Sequence, residues 1–201
     1  MSLKRNNIGI LSRQRGVSLV EVISVMLIAT MLLVIAGVGI GAFFRKYKEL
    51  NAWSELQKDA LECLDMIKNG VAVGSGNNME YYGVTNAMKL QLTNTTTTTS
   101  SGIKITPPSD QGLETPDYAH FYLYDGVVRC TYVHHGIQAA SPLYVFPKKE
   151  NRDRMKVEKF EITKINEEND LLAIRVELFA RVETGTEQSR SVRFRTKMVK
   201  K

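Results

Sequence analysis

An uncharged stretch of 23 residues, Val22–Phe44, constrains this chain more than any other feature of its sequence. As a helix it would be about 35 Å long, which is enough to cross a hydrocarbon core of about 30 Å. A cleaved secretory signal would have an apolar region of about 7–15 residues that ends in small residues. Here Phe43-Phe44 closes the stretch and Arg45-Lys46 follows it. The sequence therefore predicts a retained membrane helix over residues 17–44.

The positive charge of the chain is concentrated before this stretch. The formal net charge is +6, from 27 Lys and Arg against 21 Asp and Glu, and residues 1–16 are basic without a single acid. The remainder is close to neutral, so charge gives little support for nucleic-acid binding. The basic residues favour a cytoplasmic N-terminus only by a small margin, because Arg45, Lys46 and Lys48 follow the stretch.

One carboxylate, Glu21, directly precedes the uncharged stretch. An ionised carboxylate at hydrocarbon depth costs roughly 3 kcal/mol, so it usually has a partner. If the chain were cut between Gly16 and Val17, the new Val17 amine would lie one helical turn from Glu21. The two charges could then neutralise each other within one chain or between neighbouring chains. The alternative interpretation is that Glu21 lies at the membrane interface and has no such role.

The segment Arg15-Gly16-Val17-Ser18-Leu19-Val20-Glu21-Val22, followed by the apolar run, resembles the class III signal of type IV pilins and type II secretion pseudopilins. The resemblance implies that residues 1–16 are a leader peptide, which a prepilin peptidase removes by cutting between Gly16 and Val17. The same enzyme would N-methylate Val17, and Glu21 would be the assembly glutamate. Val17 and Ser18 depart from the usual Phe and Thr of the family.

The resemblance implies a structural subunit of a type IV pilus or type II secretion pseudopilus. The length of the chain and its irregular loop favour a minor subunit. Its partners would be other pilin or pseudopilin subunits, prepilin peptidase, the inner-membrane assembly platform and membrane lipid. It would be a single-pass inner-membrane protein with its C-terminal domain outside the cytoplasm, assembled into a periplasmic or cell-surface filament. The alternatives are a membrane-anchored binding domain that does not polymerise, and a DNA-uptake or adhesive tip pilin.

Three glycines, Gly37, Gly39 and Gly41, stand at alternate positions near the end of the uncharged stretch. Each costs about 1 kcal/mol relative to alanine in a helix interior. Two interpretations stay open: close packing of helices in the membrane, where small residues are common, or a stretch that melts and lengthens when the subunit enters a filament.

Beyond Phe44 the pattern becomes that of an amphipathic helix over residues 45–69. Asn69-Gly70 is typical of a helix C-terminus, and we expect this helix to continue the membrane helix without a break. Apolar residues recur at spacings of three and four, as one face of a helix requires: Leu50, Trp53, Leu56, Ala60, Cys63, Leu64 and Ile67. Trp53 is expected to be a core anchor.

Residues 70–117 predict a variable loop region, because they contain Gly-, Asn- and Thr-rich runs and Pro107-Pro108. Short strands are expected within it at Met88–Leu92 and Ile103–Ile105. Composition favours an exposed loop over an edge strand for the Thr run that begins at Asn94.

Residues 118–201 predict an antiparallel β-sheet domain. Asp125-Gly126 indicates a hairpin turn between Tyr118–Tyr124 and Val127–Val133. Further strands are expected at Leu143–Phe146, 157–165, 171–183 and 192–198. Strict alternation in the last two predicts one buried face, which the amphipathic helix would cover. The fold class is therefore α+β, a long N-terminal helix packed on an antiparallel sheet. This is also the pilin architecture, with a weaker resemblance to minor subunits of the J-type or PilW-type groups.

The sequence contains no catalytic constellation, so we expect no enzyme and no cofactor. Cys63 and Cys130 are either two buried thiols or a disulfide that joins helix to sheet in an oxidising compartment. His134 and His135 are adjacent and would point to opposite faces of a strand, and His120 is isolated. We therefore expect no metal site.

Basic residues cluster on the last predicted strand and its neighbour. They predict either a solvated face or a surface for an acidic subunit or DNA: Arg193, Arg195 and Lys197, with Arg175 and Arg181. Glu177 and Glu183 lie on the same face of the neighbouring strand, so the solvated face is favoured and nucleic acid is not expected as a partner.

Overall fold

The structure is a computed structural model that describes residues 17–74, 79–96, 99–108, 116–165, 173–184 and 189–200. The chain divides into two compact units, with the boundary between Lys46 and Tyr47. The predicted leader at residues 1–16 lies outside the described residues, as do the predicted turns at residues 166–170 and around Gly185.

One helix, α1 (Leu19–Asn69), runs for 51 residues and contributes to both units. The prediction that the membrane helix and the amphipathic helix are continuous is therefore confirmed. The helix ends at Gly70, whose φ is +109° and whose N–H donates to the carbonyl of Met66 at 3.0 Å. A left-handed glycine after the last turn is a common helix C-terminus, so the predicted end at Asn69-Gly70 is correct.

The first unit contains the apolar part of α1. Every described residue from Val17 to Lys46 is exposed. Among the described residues, α1 is the one helix that is long and apolar enough to cross a membrane, by its length and composition. The unit therefore has the dimensions of a single membrane span, in agreement with the uncharged stretch.

The second unit contains the rest of α1 and a large antiparallel sheet. Its strands are β1 (Val71–Val73), β2 (Glu80–Tyr82), β3 (Lys89–Thr95), β4 (Ser100–Thr106), β5 (Tyr118–Tyr124), β6 (Val127–His134), β7 (Ile137–Gln138), β8 (Leu143–Phe146), β9 (Met155–Lys164), β10 (Ala173–Glu183) and β11 (Ser189–Val199). Short 3₁₀ turns lie at Val84–Asn86 and Lys149–Asn151.

The sheet has two halves. β11, β10 and β9 form a meander, and β4, β5, β6 and β7 continue the order. One pairing, Ser100 with Ile162, joins β4 to β9. β3 adds to β4, β8 adds to β6, and β1 and β2 form a separate pair. The hairpin predicted at Asp125-Gly126 is confirmed, since these two residues have φ of 51° and 69° between β5 and β6.

The described residues within 70–117 contain four strands. The two short strands expected there correspond to β3 and β4, which are longer than predicted, and β4 lies inside the sheet. Ile103 and Ile105 are completely buried, and β4 pairs with β3 and β5. Within the Thr run, Thr95 ends β3 and Thr96 N–H donates to the Thr99 carbonyl at 2.8 Å, while Thr97 and Thr98 lie outside the described residues. Threonine is β-branched and suits strands, which is why β3 continues beyond Leu92 to Thr95.

The core of the second unit lies between α1 and the sheet. Ala52, Leu56, Ala60, Cys63, Leu64 and Ile67 of the helix belong to one buried cluster with residues of the sheet. Leu50 and Trp53 do not belong to it, because they are 57% and 36% exposed. The expectation that Trp53 is a core anchor is wrong, because it lies outside the buried cluster. The buried stripe is centred near Leu56, and at 100° per residue Leu50 lies about 120° away from it.

Polar side chains hold α1 on the sheet at the edge of this core. Asn151 Nδ2 donates to Asp59 Oδ2 at 3.2 Å and to Glu55 Oε1 at 3.1 Å. Lys148 Nζ donates to Glu62 Oε2 at 2.8 Å, and this bond raises the pKa of Lys148. These contacts satisfy Asp59, which is 4% exposed and would be costly to bury without partners.

Candidate functional site

The residues at the start of α1 are the first candidate site. Gly16 lies outside the described residues, so the predicted cleavage position is described from one side only. Val17 and Ser18 precede the helix, and Val17 is 68% exposed. The Ser18 carbonyl accepts the N–H groups of Glu21 at 2.9 Å and Val22 at 3.2 Å. The helix therefore starts within two residues of the position that the resemblance makes the mature N-terminus.

Glu21 lies in the first turn of α1 and is exposed. A carboxylate at this end of a helix is favoured, because the first N–H groups of the helix carry a partial positive charge. Ser18 and Glu21 also have the spacing of a capping box, in which Ser and Glu each accept an N–H at the helix start. Because this spacing suits a capping role, any test of an assembly role for Glu21 must separate its charge from its use in a cap.

The three glycines of the apolar segment have open space around them. Apart from the adjacent residues and the nearby backbone of α1 itself, a Cβ added at Gly37, Gly39 or Gly41 would meet no atom of the described residues within 4 Å. The first unit itself therefore supplies no contact that requires a glycine at these positions. Both interpretations of the glycines, close packing with another helix and local melting, stay predictions.

A second apolar surface lies on the part of α1 in the second unit. Leu50 and Leu61 are 57% and 54% exposed, and Trp53 lies beside them. The other side of the same helix segment is the buried stripe around Leu56. α1 therefore has apolar residues on two sides here, and the sheet covers one of them.

Cys63 and Cys130 are free thiols, and both are completely buried. Burial raises the pKa of Cys130 to about 12, and it raises the pKa of Cys63 further, with an added contribution from the charge of Cys130. Both residues belong to the same buried cluster. The disulfide stays a prediction, and its position would tie α1 to β6.

The basic residues of β10 and β11 form ion pairs across the sheet. Glu177 bonds to Arg193, and its Oε2 lies 3.4 Å from Arg195 Nη2. Arg181 lies 3.4 Å from Glu158 and 3.9 Å from Glu183. The hydrogen bond from Arg193 lowers the pKa of Glu177. This alternation of charge is that of a solvated face, the interpretation that the sequence favours.

His120 lies apart from the other two histidines in the sheet. Its Nε2 is 2.8 Å from Thr93 Oγ1, on the neighbouring hairpin. Burial lowers the pKa of His120, and the charge of Lys104 lowers it further. A neutral histidine bonded to a hydroxyl is a structural arrangement.

His134 and His135 do not point to opposite faces, so that expectation is wrong. Their ring centroids are 4.0 Å apart. His134 is the last residue of β6, but His135 is in the turn to β7, with φ of +50° followed by Gly136 at +75°. The alternation of side chains applies within a strand and ends where the backbone enters a left-handed turn.

A group of residues that the sequence did not single out surrounds these histidines. Tyr82 is 1% exposed, and its hydroxyl lies 2.7 Å from His134 Nδ1, 3.1 Å from Asp117 Oδ2 and 3.1 Å from Glu80 Oε2. Asp117 is 4% exposed and accepts the backbone N–H groups of His135 at 3.0 Å and Gly136 at 3.2 Å. The signal available in the sequence was His135-Gly136, a dipeptide suited to a two-residue turn.

The electrostatics of this group follow from burial and hydrogen bonding. Burial raises the pKa of Tyr82, and its bonds to Glu80 and Asp117 raise it further. Burial also raises the pKa of Asp117, but the bonds from His135, Gly136 and Tyr82 outweigh that effect, so the net shift is downward. Asp117 is therefore a carboxylate held in its charged form.

Comparisons with known proteins do not identify a relative of this chain. No protein-family model, no curated protein and no solved structure matches it significantly.

Proposed function

We propose that the chain is a structural subunit, and by its length a minor one, of a type IV pilus or type II secretion pseudopilus. The observation that carries this proposal is the combination of Arg15-Gly16-Val17 and Glu21 with the 23 uncharged residues that follow. The start of α1 at Leu19 supports it, because cleavage after Gly16 would leave a free amine beside the first helical turn.

Assembly in this proposal proceeds through α1. A prepilin peptidase removes residues 1–16 and methylates Val17, and the subunit waits in the inner membrane with its sheet domain outside the cytoplasm. The assembly platform then transfers the apolar helix from lipid into contact with the helices of neighbouring subunits. Glu21 pairs with the Val17 amine of its own or a neighbouring chain, so that neither charge is left alone in an apolar environment.

The exposed apolar residues of α1 support the same proposal. In the first unit they suit lipid and helices equally well, since lipid tails are as apolar as leucine. Leu50, Trp53 and Leu61 lie beyond the uncharged stretch and are also exposed. A neighbouring helix would bury them and gain about 25 cal/mol for each Å² of apolar surface removed from water.

The role of Glu21 is tested by separating its charge from its use in capping the helix. Glu21→Gln keeps a side chain that a capping box accepts but removes the charge, whereas Glu21→Ala removes both. We expect both variants to insert into the membrane normally. The amount of each variant found in filaments should fall by at least about tenfold. A factor of ten corresponds to a loss of about 1.4 kcal/mol. Immunoblots of membrane and sheared-filament fractions measure the two quantities.

Ser24→Ala is the matched control, because it removes a polar group from the same helix without changing charge. Ser24 Oγ donates to the carbonyl of Val20 at 2.8 Å, within the helix. If Glu21→Gln were incorporated normally and Glu21→Ala were not, the charge of Glu21 would have no role in assembly. Only its use in capping the helix would then remain. A chain recovered from its native membrane with residues 1–16 still attached, beside an active prepilin peptidase, would support the non-polymerising membrane-anchored domain.

A further inference from the structure

The turn between β6 and β7 brings together side chains that bind metals in many proteins. His134 and His135 lie on one side of this turn, and Asp117, which immediately precedes β5, lies against it. One ligand atom from each of the three residues lies within 4.8 Å of the other two. Two imidazoles and one carboxylate are a common ligand set for zinc and related divalent ions.

The spacing fits an ion with short ligand bonds. His134 Nδ1 and Asp117 Oδ2 are 3.8 Å apart. Two ligands at about 2.1 Å from one ion are at most about 4.2 Å apart, so this pair already has a bridging separation. His135 is exposed, so its ring has room to move, and a shift of at most roughly 1.4 Å would complete the set within the same bond length.

The backbone also holds the site in place. The N–H groups of His135 and Gly136 both bond to the Asp117 carboxylate, which ties the turn to the start of β5. A ligand carboxylate fixed by outer hydrogen bonds is typical of metal centres, since outer contacts orient the ligands. Tyr82, bonded to Asp117, supports this carboxylate in the same way, and the ion would take the place of the Tyr82 hydroxyl at His134 Nδ1.

We propose that Asp117, His134 and His135 bind one divalent transition-metal ion of the zinc class at the β6–β7 turn, with Tyr82 orienting the Asp117 carboxylate. The ion ties the turn to the segment before β5, at the edge of the sheet. This site is independent of whether the chain enters a filament, because all of its residues lie in the second unit.

The test measures zinc binding to the full-length chain in detergent micelles, without a polyhistidine tag. Isothermal titration with Zn²⁺ should give one ion per chain, and Co²⁺ should give the visible absorption of a nitrogen- and oxygen-ligated site. Zn²⁺ should also raise the melting temperature of the sheet domain, because an ion that binds only the folded chain stabilises it.

Two variants distinguish a metal ligand from a structural histidine. His135→Asn removes the ligand but keeps the turn, since Asn tolerates positive φ and Asn-Gly is the preferred pair for this turn. We expect it to weaken zinc binding by at least about tenfold while its melting temperature without metal stays equal to that of the wild type or rises. His120→Gln is the control, because His120 bonds to Thr93 and lies outside the group, and it should bind Zn²⁺ as the wild type does.

The result that overturns the proposal is absence of a one-to-one zinc complex in the wild-type chain. Equal zinc affinity of wild type and His135→Asn would overturn it as well, because the ion would then be held elsewhere.

Discussion

Leu33 and Leu56 belong to the same helix, yet Leu33 is 71% exposed and Leu56 is completely buried. Both residues are in regular helix, so local structure does not explain the difference in exposure. The two leucines differ because they belong to different units. In the second unit the sheet supplies a core for α1. In the first unit the described residues leave every side chain exposed.

This comparison teaches where each half of the helix obtains its stability. A water-soluble domain rarely leaves a large contiguous apolar surface uncovered, since such a surface marks an interaction with a membrane or another protein. The second unit has a buried core between α1 and the sheet, so most of its stability comes from its own packing, although Leu50 and Leu61 stay exposed. The first unit depends on its surroundings, whether lipid or neighbouring helices.

The largest expected effect comes from making the same substitution on both sides of the comparison. Leu56→Ala removes a completely buried side chain and should lower the free energy of unfolding of the sheet domain by about 2–5 kcal/mol. Leu33→Ala should change it by less than about 0.5 kcal/mol, because Leu33 takes no part in the core. Thermal and urea unfolding in micelles, followed by circular dichroism of the sheet, measures both. Equal destabilisation by the two variants would mean that the units do not differ in this way.

The same division explains which parts of the fold could be predicted from the sequence. The uncharged stretch is a long continuous apolar run, and β10 and β11 alternate with a period of two. Local pattern was therefore sufficient to predict them. β4 was underestimated because its serine, threonine and glycine content is typical of loops. Its place in the sheet depends on pairing with β3, β5 and β9, which no local pattern contains.

The two candidate sites differ in the same respect. Val17 and Glu21 are close in the sequence, so a motif could indicate them together. Tyr82 and His134 are separated by 52 residues, and only the folded sheet brings them together. The histidine pair was misjudged because both residues were treated as part of one strand. β6 ends at His134, and His135 lies in the turn, which reverses the side to which its side chain points.

An intermediate effect is expected at the glycines. A Cβ at Gly83 would lie 2.7 Å from the Cα of Gly70 and closer still to other backbone atoms, which cannot move easily. Gly83→Ala should therefore destabilise the sheet domain by about 1–3 kcal/mol. Gly39→Ala meets open space, so it should leave the sheet domain unchanged and favour the helix by up to about 1 kcal/mol.

Thermal unfolding of the two glycine variants, with helix content read from circular dichroism, checks both signs. Gly39→Ala has a further use, because a fall in filament incorporation at unchanged helix content would show that this glycine serves a contact with another molecule. A stable Gly83→Ala variant would contradict the close approach of the chain to the end of α1.

The smallest expected effect concerns the two carboxylates Glu177 and Glu21. Glu177 is neutralised inside the second unit by Arg193 and Arg195, whereas the described residues contain no ion pair to Glu21. The pKa of Glu177 is lowered on folding, first by the bond from Arg193, so its charged form stabilises the fold. That stabilisation is fully present above the unfolded pKa of about 4.3 and is lost as pH falls through the folded pKa.

Glu177→Gln should therefore unfold at lower urea than the wild type at pH 7, and the difference should shrink as pH falls below about 4. Both arginines are more than half exposed, so the difference at pH 7 should also shrink with added salt. Glu21→Gln should leave the unfolding of the sheet domain unchanged at either pH, because Glu21 belongs to the other unit. If the stability difference between wild type and Glu177→Gln did not change with pH, the Glu177 side chain would act by packing and not by its charge. The two units would then differ in apolar burial alone.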